Sequence, residues 1–497
     1  MPDYMELTFP IIIMRHGGLD GVALQKYEYS RLLNRLDVRT HVISGREETE
    51  FRDEERPDWQ AQIVIDPLYW RHQDVLSLYA NSFTHGLETE MAPAISEDQW
   101  MELFERSRQE IESAIAAEIA KVPGNTPVIV YNFLALRHIH PAAAVAIRNV
   151  ILANPNRGFL SHAADPDAER PEKVVRLKEF VKRVISANGL DEPYSGGPYH
   201  INNLYHIVLN PTQKASFLEK YAIPENHVFE IPDFLDFGRV VHARLQSPDP
   251  EFLDDMAGRF IVPDGRGGCR YETRELVDNA VYFLSPVRPV YRKRLLEAML
   301  IADRYGRERG VTPYFIVTHP DIDDPEYFQR SIEFAQEIGL GYIHLGEGFR
   351  VESLERAYAN LSVLPCVGVV ASSAGGWENA LNEMAAERIP FFMSSSLNSF
   401  KPLTERIGIE TYGMDFDPIA QWIDEGGRHL EEPGGDLELW IDRALDPESR
   451  SEIKERNFKQ AFRSLSHEAT APRFLEALLR IYARHGLPGQ PGESCEP

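Results

Sequence analysis

A pair of basic side chains and a helix opened by glycines are the stretches of this sequence that could carry chemistry. Arg288 and Lys293 stand in the segment SPVRPVYRKRLLEA (285–298), directly after an apolar run. At this spacing both side chains can reach the same place beyond the end of a strand, where two cations would bind a diphosphate. A solvated basic helix start is the alternative, and the helix dipole disfavours it. We therefore expect an anion site at these two residues.

The helix opened by glycines lies in the segment SSAGGWENALNEMAAERIP. Gly375 and Gly376 allow the backbone to approach a ligand, and Trp377 is expected to close the turn against the core. Glu383 lies inside the first turns of the helix, where its carboxylate could accept hydrogen bonds from a ribose diol. A capping acid with a packing glycine is the alternative, and it explains Glu378 better than Glu383.

A second stretch rich in glycine, RHGGLDGVALQK (15–26), follows the first apolar run and leads into a helical pattern. Its glycines permit close approach of the backbone, and the N–H groups of the following helix could bind phosphate. The stretch lacks the GxGxxG spacing, so a dinucleotide site is poorly supported, and a simple tight turn explains it equally well. The candidate ligand residues of this loop are Gly17, Gly18, Asp20 and Gly21.

Histidines supply the remaining candidates. His162 follows the apolar run of FLSHAADPD, where a structural and a catalytic role are equally supported. His138 and His140 form an HxH pair without a carboxylate or third histidine at ligand spacing, and we expect both to be structural. The HExxH, Walker A and GxSxG patterns do not occur, so a metalloprotease, a P-loop NTPase and an α/β-hydrolase lose their main support.

The elements that must position these residues alternate between short apolar runs and amphipathic segments, of which the helical pattern over 97–121 is the clearest. The predicted strands cover residues 9–16, 40–44, 62–65, 127–131, 158–162, 206–210, 228–232, 281–286, 314–319, 342–345, 367–373 and 390–395. Such alternation is typical of doubly wound α/β sheets, in which ligands bind at the carboxyl ends of the strands. The pattern predicts two Rossmann-like domains.

The alternation weakens at PDGRGGCRYET (263–273), which we interpret as the linker between the domains. The predicted first domain therefore covers 1–265 and the second covers 275–445. C-terminal helices are predicted over 446–486, packing back across the domains, and a disordered tail is predicted over 487–497.

Composition and charge argue against several classes of partner. The 52 basic and 77 acidic side chains give a net charge of −25, so the surface repels nucleic acid and anionic membranes. Three scattered cysteines without a CxxC pair argue against a disulfide scaffold and fit the reducing cytosol, so we expect a cytoplasmic protein. No run of about 18 apolar residues occurs, and we expect no transmembrane segment.

Taken together, Arg288, Lys293 and the helix ending in NEMAAERIP resemble the retaining GT-B glycosyltransferases of glycosyltransferase family 4. The resemblance covers most of the chain, since RHGGLDG, LNPTQKASFLEKY and IPDFLDF are also similar to segments of that family. It implies an α/β protein of two Rossmann-like domains facing across a cleft, with C-terminal helices returning to the N-terminal domain. It also implies transfer of a hexosyl group from a nucleotide diphosphate sugar, with retention of configuration.

The resemblance assigns roles to the candidate residues. It implies that Arg288 and Lys293 neutralise the departing diphosphate and that His162 orients the sugar. It also implies that Glu383 holds the ribose and that the HGGLDG loop (16–21), with Gly18, Asp20 and Gly21, faces the acceptor and the diphosphate. The residues that would place the sugar are Gly375, Gly376, Trp377, Glu378, Asn379, Ala380 and Leu381. A donor phosphate oxygen would take the acceptor proton, so neither a metal nor a cofactor other than the donor substrate is implied.

One position departs from the family pattern. The first glutamate of the family's E-x7-E pair is Gly375 here, so Glu378 or backbone N–H groups would have to contact the sugar. This departure keeps open a second hypothesis, a non-catalytic protein or partner subunit that binds sugar nucleotides. A GT-B epimerase or phosphorylase is a third hypothesis.

Within the family, DGVALQ, SPVRPVYRKRLLEA, VTHPDIDDPEY and GWENALNEM are most similar to the mannosylglucosylglycerate synthase-like branch. That resemblance implies GDP-mannose as the donor and a small acidic compatible solute of the glucosylglycerate type as the acceptor. UDP-glucose and GDP-glucose stay open as donors, and the oligomeric state cannot be read from the sequence.

Overall fold

The computed structural model describes residues 8–14, 21–45, 60–69, 71–131, 133–163, 175–190, 200–238, 245–319, 324–346, 351–375, 377–431 and 435–485. The chain divides into two compact units. The first unit runs to Asp233 and takes in the chain from Thr470 onwards, and the second runs from Phe234 to Ala469. Gly17, Gly18, Asp20 and Gly376, together with the predicted tail over 487–497, lie outside the described residues.

Among the described residues, the first unit holds a sheet of seven parallel strands. The strands are β1 Thr8–Ile13, β2 Arg39–Ser44, β3 Gln60–Val64, β4 Val128–Tyr131, β5 Phe159–His162, β6 Leu204–Val208 and β7 Val228–Glu230. Their spatial order is β3-β2-β1-β4-β5-β6-β7. The strands β4, β5 and β6 are buried along their whole length, as expected when helices cover both faces of a parallel sheet.

The described helices of the first unit that precede Asp233 follow the strands. They are α1 Gly21–Asn34, α2 Gln73–Asn81, α3 Glu97–Ile119, α4 Phe133–Ile139, α5 Pro141–Ala153, α6 Glu179–Ala187 and α7 Pro211–Ala215. The long helix α3 begins at a capping box, in which the Ser96 side chain accepts from the Gln99 N–H and the Gln99 side chain accepts from the Ser96 N–H. It then buries Trp100, Phe104 and Ile111 along one face, which packs against α5.

Within the part of the second unit that the structure describes, eight strands form a mixed sheet. The strands are β8 Phe260–Pro263, β9 Cys269–Glu272, β10 Ala280–Ser285, β11 Thr312–Val317, β12 Gly341–His344, β13 Cys366–Val370, β14 Phe391–Ser394 and β15 Tyr412–Met414, in the order β15-β14-β13-β10-β11-β12-β8-β9. The helices are α8 Pro250–Ala257, α9 Leu295–Arg309, α10 Pro325–Glu337, α11 Val351–Val363, α12 Asn379–Ala386, α13 Asp417–Asp424, α14 Asp436–Leu445 and α15 Pro447–Leu465. These two sheets confirm the prediction of two Rossmann-like domains.

The predicted linker at 263–273 is wrong, because this segment forms the hairpin of β8 and β9. Its glycines serve the hairpin turn, where Gly265 and Gly267 adopt φ values of 75° and 87°. The carboxylate of Asp264 accepts hydrogen bonds from two backbone N–H groups of the same turn. Because β8 pairs with β12 of the second sheet, the boundary lies near Asp233 and the predicted boundary at residue 265 is too late.

Each sheet has a point at which the strand order reverses. In the first unit this point lies between β1 and β4, and in the second it lies between β10 and β13. The helices that follow the two strands leave in opposite directions there, which opens a crevice at the carboxyl ends where ligands bind in such sheets. The loops after β10 and β13 carry the predicted diphosphate and donor residues.

The C-terminal helices divide between the two units. The helix α15 packs against α12 and α14 within the second unit. It is followed by α16 His467–His485, which belongs to the first unit except for its first residues. The ring centroids of Phe474 and Tyr29 lie 4.8 Å apart, and His485 Nε2 is hydrogen-bonded to the Tyr205 hydroxyl at 2.9 Å. The chain therefore returns to the N-terminal domain through α16.

His140 is a buried residue whose role depends on its being neutral. Its Nδ1 accepts a hydrogen bond from the Ala143 N–H and caps α5, and its Nε2 donates to the Pro67 carbonyl at 2.7 Å. These contacts confirm the structural role predicted for His140, and His138 is buried as well. Burial lowers the pKa of His140 from 6.5 to about 4.

We predict that the free energy of unfolding falls as the pH is lowered from about 6.5 towards about 4. The unfolded chain takes up a proton at His140 near pH 6.5, whereas the folded chain does so only near pH 4, so acid favours the unfolded state. Urea unfolding of the wild type and of His140→Asn measures this, since asparagine keeps a cap but does not titrate. The wild type should lose up to about 1.4 kcal/mol more per pH unit, and equal slopes would contradict the prediction.

Candidate functional site

Basic side chains converge at the carboxyl ends of β10 and β11, beside the reversal point of the second sheet. We call Arg288, Arg292, Lys293, His319 and Glu378 the basic cluster. Lys293 Nζ donates a hydrogen bond to Glu378 Oε2 at 2.5 Å, and Arg292 Nη1 lies 3.6 Å from Glu378 Oε1. Lys293 and Glu378 are both buried. The structure therefore buries a lysine and matches it with a carboxylate from the next loop.

The loop between β10 and α9 directs Lys293 inwards. Residues Tyr291–Lys293 form one turn of 3-10 helix. Arg294 then adopts the left-handed conformation, with φ of 53° and ψ of 50°, before α9 begins at Leu295. The Tyr291 side chain points to solvent while Lys293 is buried. The sharp turn at Arg294 thus separates an exposed face of the loop from the face that enters the cluster.

Hydrogen bonds hold the loop after β13 against the loop after β10. The N–H and the hydroxyl of Ser373 both donate to the Arg292 carbonyl, at 2.9 and 3.3 Å. The Arg292 guanidinium donates to the Ala374 carbonyl at 3.3 Å. The two loops come from either side of the reversal point, so these bonds bring Glu378 within reach of Lys293.

Burial and charge set the protonation of the basic cluster. Burial, with the charges of Arg292 and Arg288, lowers the pKa of Lys293 to about 7, although Glu378 opposes the shift. Burial alone would raise the pKa of Glu378, but the charges of Lys293 and Arg292 lower it below its usual value. Burial and the charges of Arg288 and Lys293 lower the pKa of His319 to about 3, so its ring is neutral at pH 7. Two arginines against one carboxylate leave the cluster positive even when Lys293 is neutral, which suits an anion.

The structure brings Arg288 and Lys293 together, since the charge of Arg288 lowers the pKa of Lys293 and both charges lower the pKa of His319. Sequence reasoning missed Arg292 and His319. His319 follows β11, so its place at a strand end was a usable signal. Arg292 gave no such signal, because its role comes from hydrogen bonds to a loop about 80 residues further along the chain.

Trp377 anchors the start of α12. Its indole Nε1 donates to Asn382 Oδ1 at 3.0 Å, and the side chain is buried, as predicted for a residue that closes the turn. Asn379 is the first residue of the helix, and Ala380 and Leu381 are buried in the core. The side chains of Ala380 and Leu381 therefore pack in the core. Their predicted contact with the donor stays a prediction, and it would involve their backbone atoms.

Glu383 is held by a tyrosine from a neighbouring helix. Its Oε2 accepts a hydrogen bond from the hydroxyl of Tyr358 in α11 at 2.6 Å. Glu378 precedes the helix in an extended conformation, whereas Glu383 lies within it, and the two carboxylates have different partners. Sequence reasoning missed Tyr358, which fixes the orientation of this carboxylate. The contact of Glu383 with a ribose stays a prediction.

Gly375 leaves room for the carboxylate of Glu378. Its φ of 155° is a backbone conformation that favours glycine. A Cβ atom at this position would lie 2.9 Å from Glu378 Oε1. A side chain at residue 375 would therefore compete with Glu378 for the same space beside the cluster.

In the first unit, His162 is the last residue of β5 and is 1% exposed. Its Nε2 is hydrogen-bonded to Asp233 Oδ1 at 3.1 Å. The ring stacks on Tyr131 at a centroid distance of 5.1 Å, and the edge contact with Tyr29 is at 5.7 Å. Asp233 belongs to the segment IPDFLDF, and sequence reasoning did not pair it with His162. Asp233 lies 71 residues after His162, at the end of the first unit. The acidic residues that are near His162 in sequence are those of AADPD.

The glycine-rich loop of the first unit is described only at its end. Gly21 is the first residue of α1, so this loop leads directly into a helix N-terminus, as predicted. Contact of the loop with the acceptor or the diphosphate stays a prediction.

The described residues offer neither a metal-binding cluster nor a membrane-spanning helix. They contain no group of three or more His, Cys, Asp or Glu side chains placed to hold a metal ion. None of the described helices is both long enough and apolar enough to cross a membrane.

Comparison with known proteins relates the chain to sugar-transferring enzymes over nearly all of its length. No family model matches the chain. It is 20% identical over 494 residues to the mannosylglucosylglycerate synthase of Thermotoga maritima, a match that covers 97% of this chain and 100% of that protein. A sucrose-phosphate synthase from Thermosynechococcus elongatus superimposes with a TM-score of 0.61 at 13% identity, covering 96% of this chain and 99% of that one.

Two further solved structures agree with that superposition. They are a trehalose 6-phosphate synthase from Burkholderia multivorans, with a TM-score of 0.58 at 12% identity, and a glycosyltransferase from Rickettsia africae, with 0.57 at 14%. Each match covers 96% of this chain and 99% of the other. The fold is GT-B. The full-length relative and these structural neighbours are glycosyltransferases.

We predict that any binding of a diphosphate to the basic cluster, probed with GDP, weakens as the pH rises above about 7. The protonated lysine attracts the diphosphate, and since the pKa of Lys293 is about 7 the cation is lost as the pH rises through that value. Affinity should fall by up to about tenfold per pH unit. Calorimetric titration of the wild type and of Lys293→Arg tests this, because arginine stays charged across the pH range. Any change in the protonation of GDP itself affects both proteins equally. Parallel pH profiles in the two proteins would exclude the assigned role of Lys293.

Proposed function

We propose that this protein is a retaining GT-B glycosyltransferase that moves a hexosyl group from a nucleotide diphosphate sugar to a small acceptor. The observation that carries the proposal is the basic cluster at the carboxyl edge of the second sheet. When a sugar leaves its diphosphate, negative charge develops on the phosphate oxygens. Cations held in place beforehand stabilise that charge without reorganising during the reaction.

The contact between Lys293 and Glu378 suggests how the donor enters. In the free protein Glu378 is the counter-ion of Lys293. A diphosphate would compete with that carboxylate for the same cation, and its binding would release Glu378. The released carboxylate lies beside Gly375, where it could accept hydrogen bonds from hydroxyls of the transferred sugar. In this proposal Glu378 takes the role that the family resemblance gives to a glutamate at position 375.

The remaining roles follow from the resemblance and the contacts. Glu383, oriented by Tyr358, would hold the ribose of the donor. His162 would orient the sugar, and the HGGLDG loop (16–21) would face the acceptor and the diphosphate. A donor phosphate oxygen would take the acceptor proton on the same face from which the leaving group departs. The protein would then supply position and charge, with no metal and no cofactor besides the donor.

We propose GDP-mannose as the donor and an acceptor of the glucosylglycerate type, in the cytoplasm. The support is the full-length relative, named mannosylglucosylglycerate synthase, and the four motifs that resemble that branch. UDP-glucose and GDP-glucose are the competing donors.

A non-catalytic protein that binds sugar nucleotides is the second candidate. Its support is Gly375, since the position where the family resemblance places a sugar-binding glutamate lacks a side chain. Such a protein would bind GDP or UDP at the basic cluster but release no nucleotide from a sugar donor. Measurement of GDP release from GDP-mannose with and without glucosylglycerate separates the two candidates.

We predict that one nucleotide among GDP, UDP and ADP, alone or as its sugar conjugate, raises the melting temperature of the wild type. Arg288→Ala should abolish that shift, because it removes a cation from the basic cluster. It should also lower the rate of donor cleavage about 100-fold or more, as loss of a transition-state charge contact does. The measurement is a thermal-shift panel followed by a coupled assay of released nucleotide.

Arg307→Ala is the matched control for this experiment. Arg307 lies on α9, is about half exposed and pairs with Asp303 at 3.0 Å. Its replacement by alanine therefore removes one positive charge, as Arg288→Ala does, but outside the basic cluster. Its nucleotide-dependent shift should equal that of the wild type. If no nucleotide at millimolar concentration shifts the wild type, the donor site has been placed wrongly. If both arginine variants lose the shift, the effect is one of net charge.

A further inference from the structure

His162 and Asp233 form a second charged pair at a carboxyl edge, in the first unit. His162 ends β5, and Tyr131, its partner in the parallel register, ends β4. The strand β4 borders the reversal point of the first sheet, where ligands bind in doubly wound folds. Asp233 follows β7, two strands away, so its side chain reaches back over the edge of the sheet to the histidine.

The imidazole ring of His162 is fixed from several sides. It stacks on Tyr131 with an interplanar angle of 29° and meets Tyr29 edge-on at 78°. Tyr29 is in turn packed against Phe474 of α16. Burial, together with the charge of Asp233, raises the pKa of Tyr29 and of Tyr131, so both hydroxyls keep their protons. The ring therefore has one orientation, and its Nε2 faces a carboxylate.

The contact with Asp233 determines which ring nitrogen carries the proton. A carboxylate only accepts hydrogen bonds, so the shared hydrogen belongs to His162 Nε2. In the neutral ring Nδ1 is then an acceptor. That Nδ1 is buried, and no residue in the described part of the chain donates a hydrogen bond to it. A buried acceptor without a partner is rare in a folded protein and indicates a missing donor.

We propose that Asp233 is a positioning residue, which holds His162 as the Nε2–H tautomer so that Nδ1 accepts a hydrogen bond from a hydroxyl group of a sugar substrate. This inference rests on the proposed function. A hydroxyl fits because it donates, whereas a phosphate or a carboxylate would present another acceptor to Nδ1 and would be repelled by Asp233. The hydroxyl belongs either to the donor sugar or to the acceptor, and the experiment below distinguishes these sources.

The tautomer can be measured without any substrate. Protein labelled with 15N-histidine gives ring signals that differ between protonated and bare nitrogens, and His162→Gln identifies the signals of this residue by their disappearance. The wild type should show a neutral ring with the proton on Nε2. Asp233→Asn should lose that single tautomer. Asp236→Asn, a buried acid of the same segment whose carboxylate accepts from the Gly238 N–H, should keep it.

A wild-type spectrum with the proton on Nδ1, or with both nitrogens protonated, would overturn the proposal, whatever the stability of the variants. The substrate contact is tested with GDP and GDP-mannose. If the hydroxyl belongs to the donor, Asp233→Asn should weaken GDP-mannose binding at least fivefold and leave GDP binding unchanged. If it belongs to the acceptor, both affinities should hold while the KM for glucosylglycerate rises at least fivefold.

Unchanged values for GDP-mannose and for glucosylglycerate in Asp233→Asn would overturn the role of the pair. The proposed function would stand in that case, provided that the wild type binds GDP. If the wild type binds no nucleotide, the proposed function fails, while the tautomer measurement still decides whether Asp233 fixes the ring.

Discussion

The burial of the Lys293 ammonium group is the interaction on which the site of the second domain depends. A cation removed from water is costly unless a carboxylate and further hydrogen bonds compensate it. Glu378 provides that carboxylate from a loop 85 residues away in sequence. The two loops must therefore touch, and the bonds between Ser373 and Arg292 hold them together. Trp377 anchors the chain directly before Glu378, so the position of the carboxylate is determined by packing.

The local backbone geometry serves the same interaction. Arg294 adopts a left-handed conformation that is unfavourable for a residue with a side chain, and it ends the turn that buries Lys293. Gly375 has no side chain, which leaves space for Glu378 Oε1. Because the arginines exceed the carboxylate in number, the cluster keeps a positive charge in a protein whose net charge is −25. A local cation site in an acidic protein attracts an anionic substrate while the rest of the surface repels other polyanions.

The parallel sheets explain why chemistry collects at two edges of this molecule. In a parallel sheet every strand ends on the same side, so residues far apart in sequence meet there. Arg288, His319 and Glu378 follow β10, β11 and β13 in the second sheet. In the first sheet His162 ends β5, while Asp233 follows β7. The two edges use the same principle, since each pairs a nitrogen base with a carboxylate that arrives from another strand.

Much of the fold was predictable from local patterns. Short apolar runs predicted twelve strands of the two sheets to within a few residues, because a parallel strand covered on both faces must be apolar along its length. The N-cap Ser96 is a local capping signal, and α3 begins at Glu97, where the helical pattern indicates. The hairpin of β8 and β9 was missed, because its glycines indicate a turn equally well in a linker and between paired strands. The edge strand β15, only three residues long, was missed as well.

The sequence by itself determined the order of most strands and helices, the two-domain organisation and the place of Arg288 and Lys293 beyond a strand. All of these follow from residues that are neighbours along the chain. Only the tertiary structure decided that Glu378 pairs with Lys293, that Tyr358 orients Glu383 and that Asp233 holds His162. These partners are 85, 25 and 71 residues apart. Their contacts depend on which strands lie side by side, and hydrophobic periodicity reports the burial of a segment but not the identity of its neighbours.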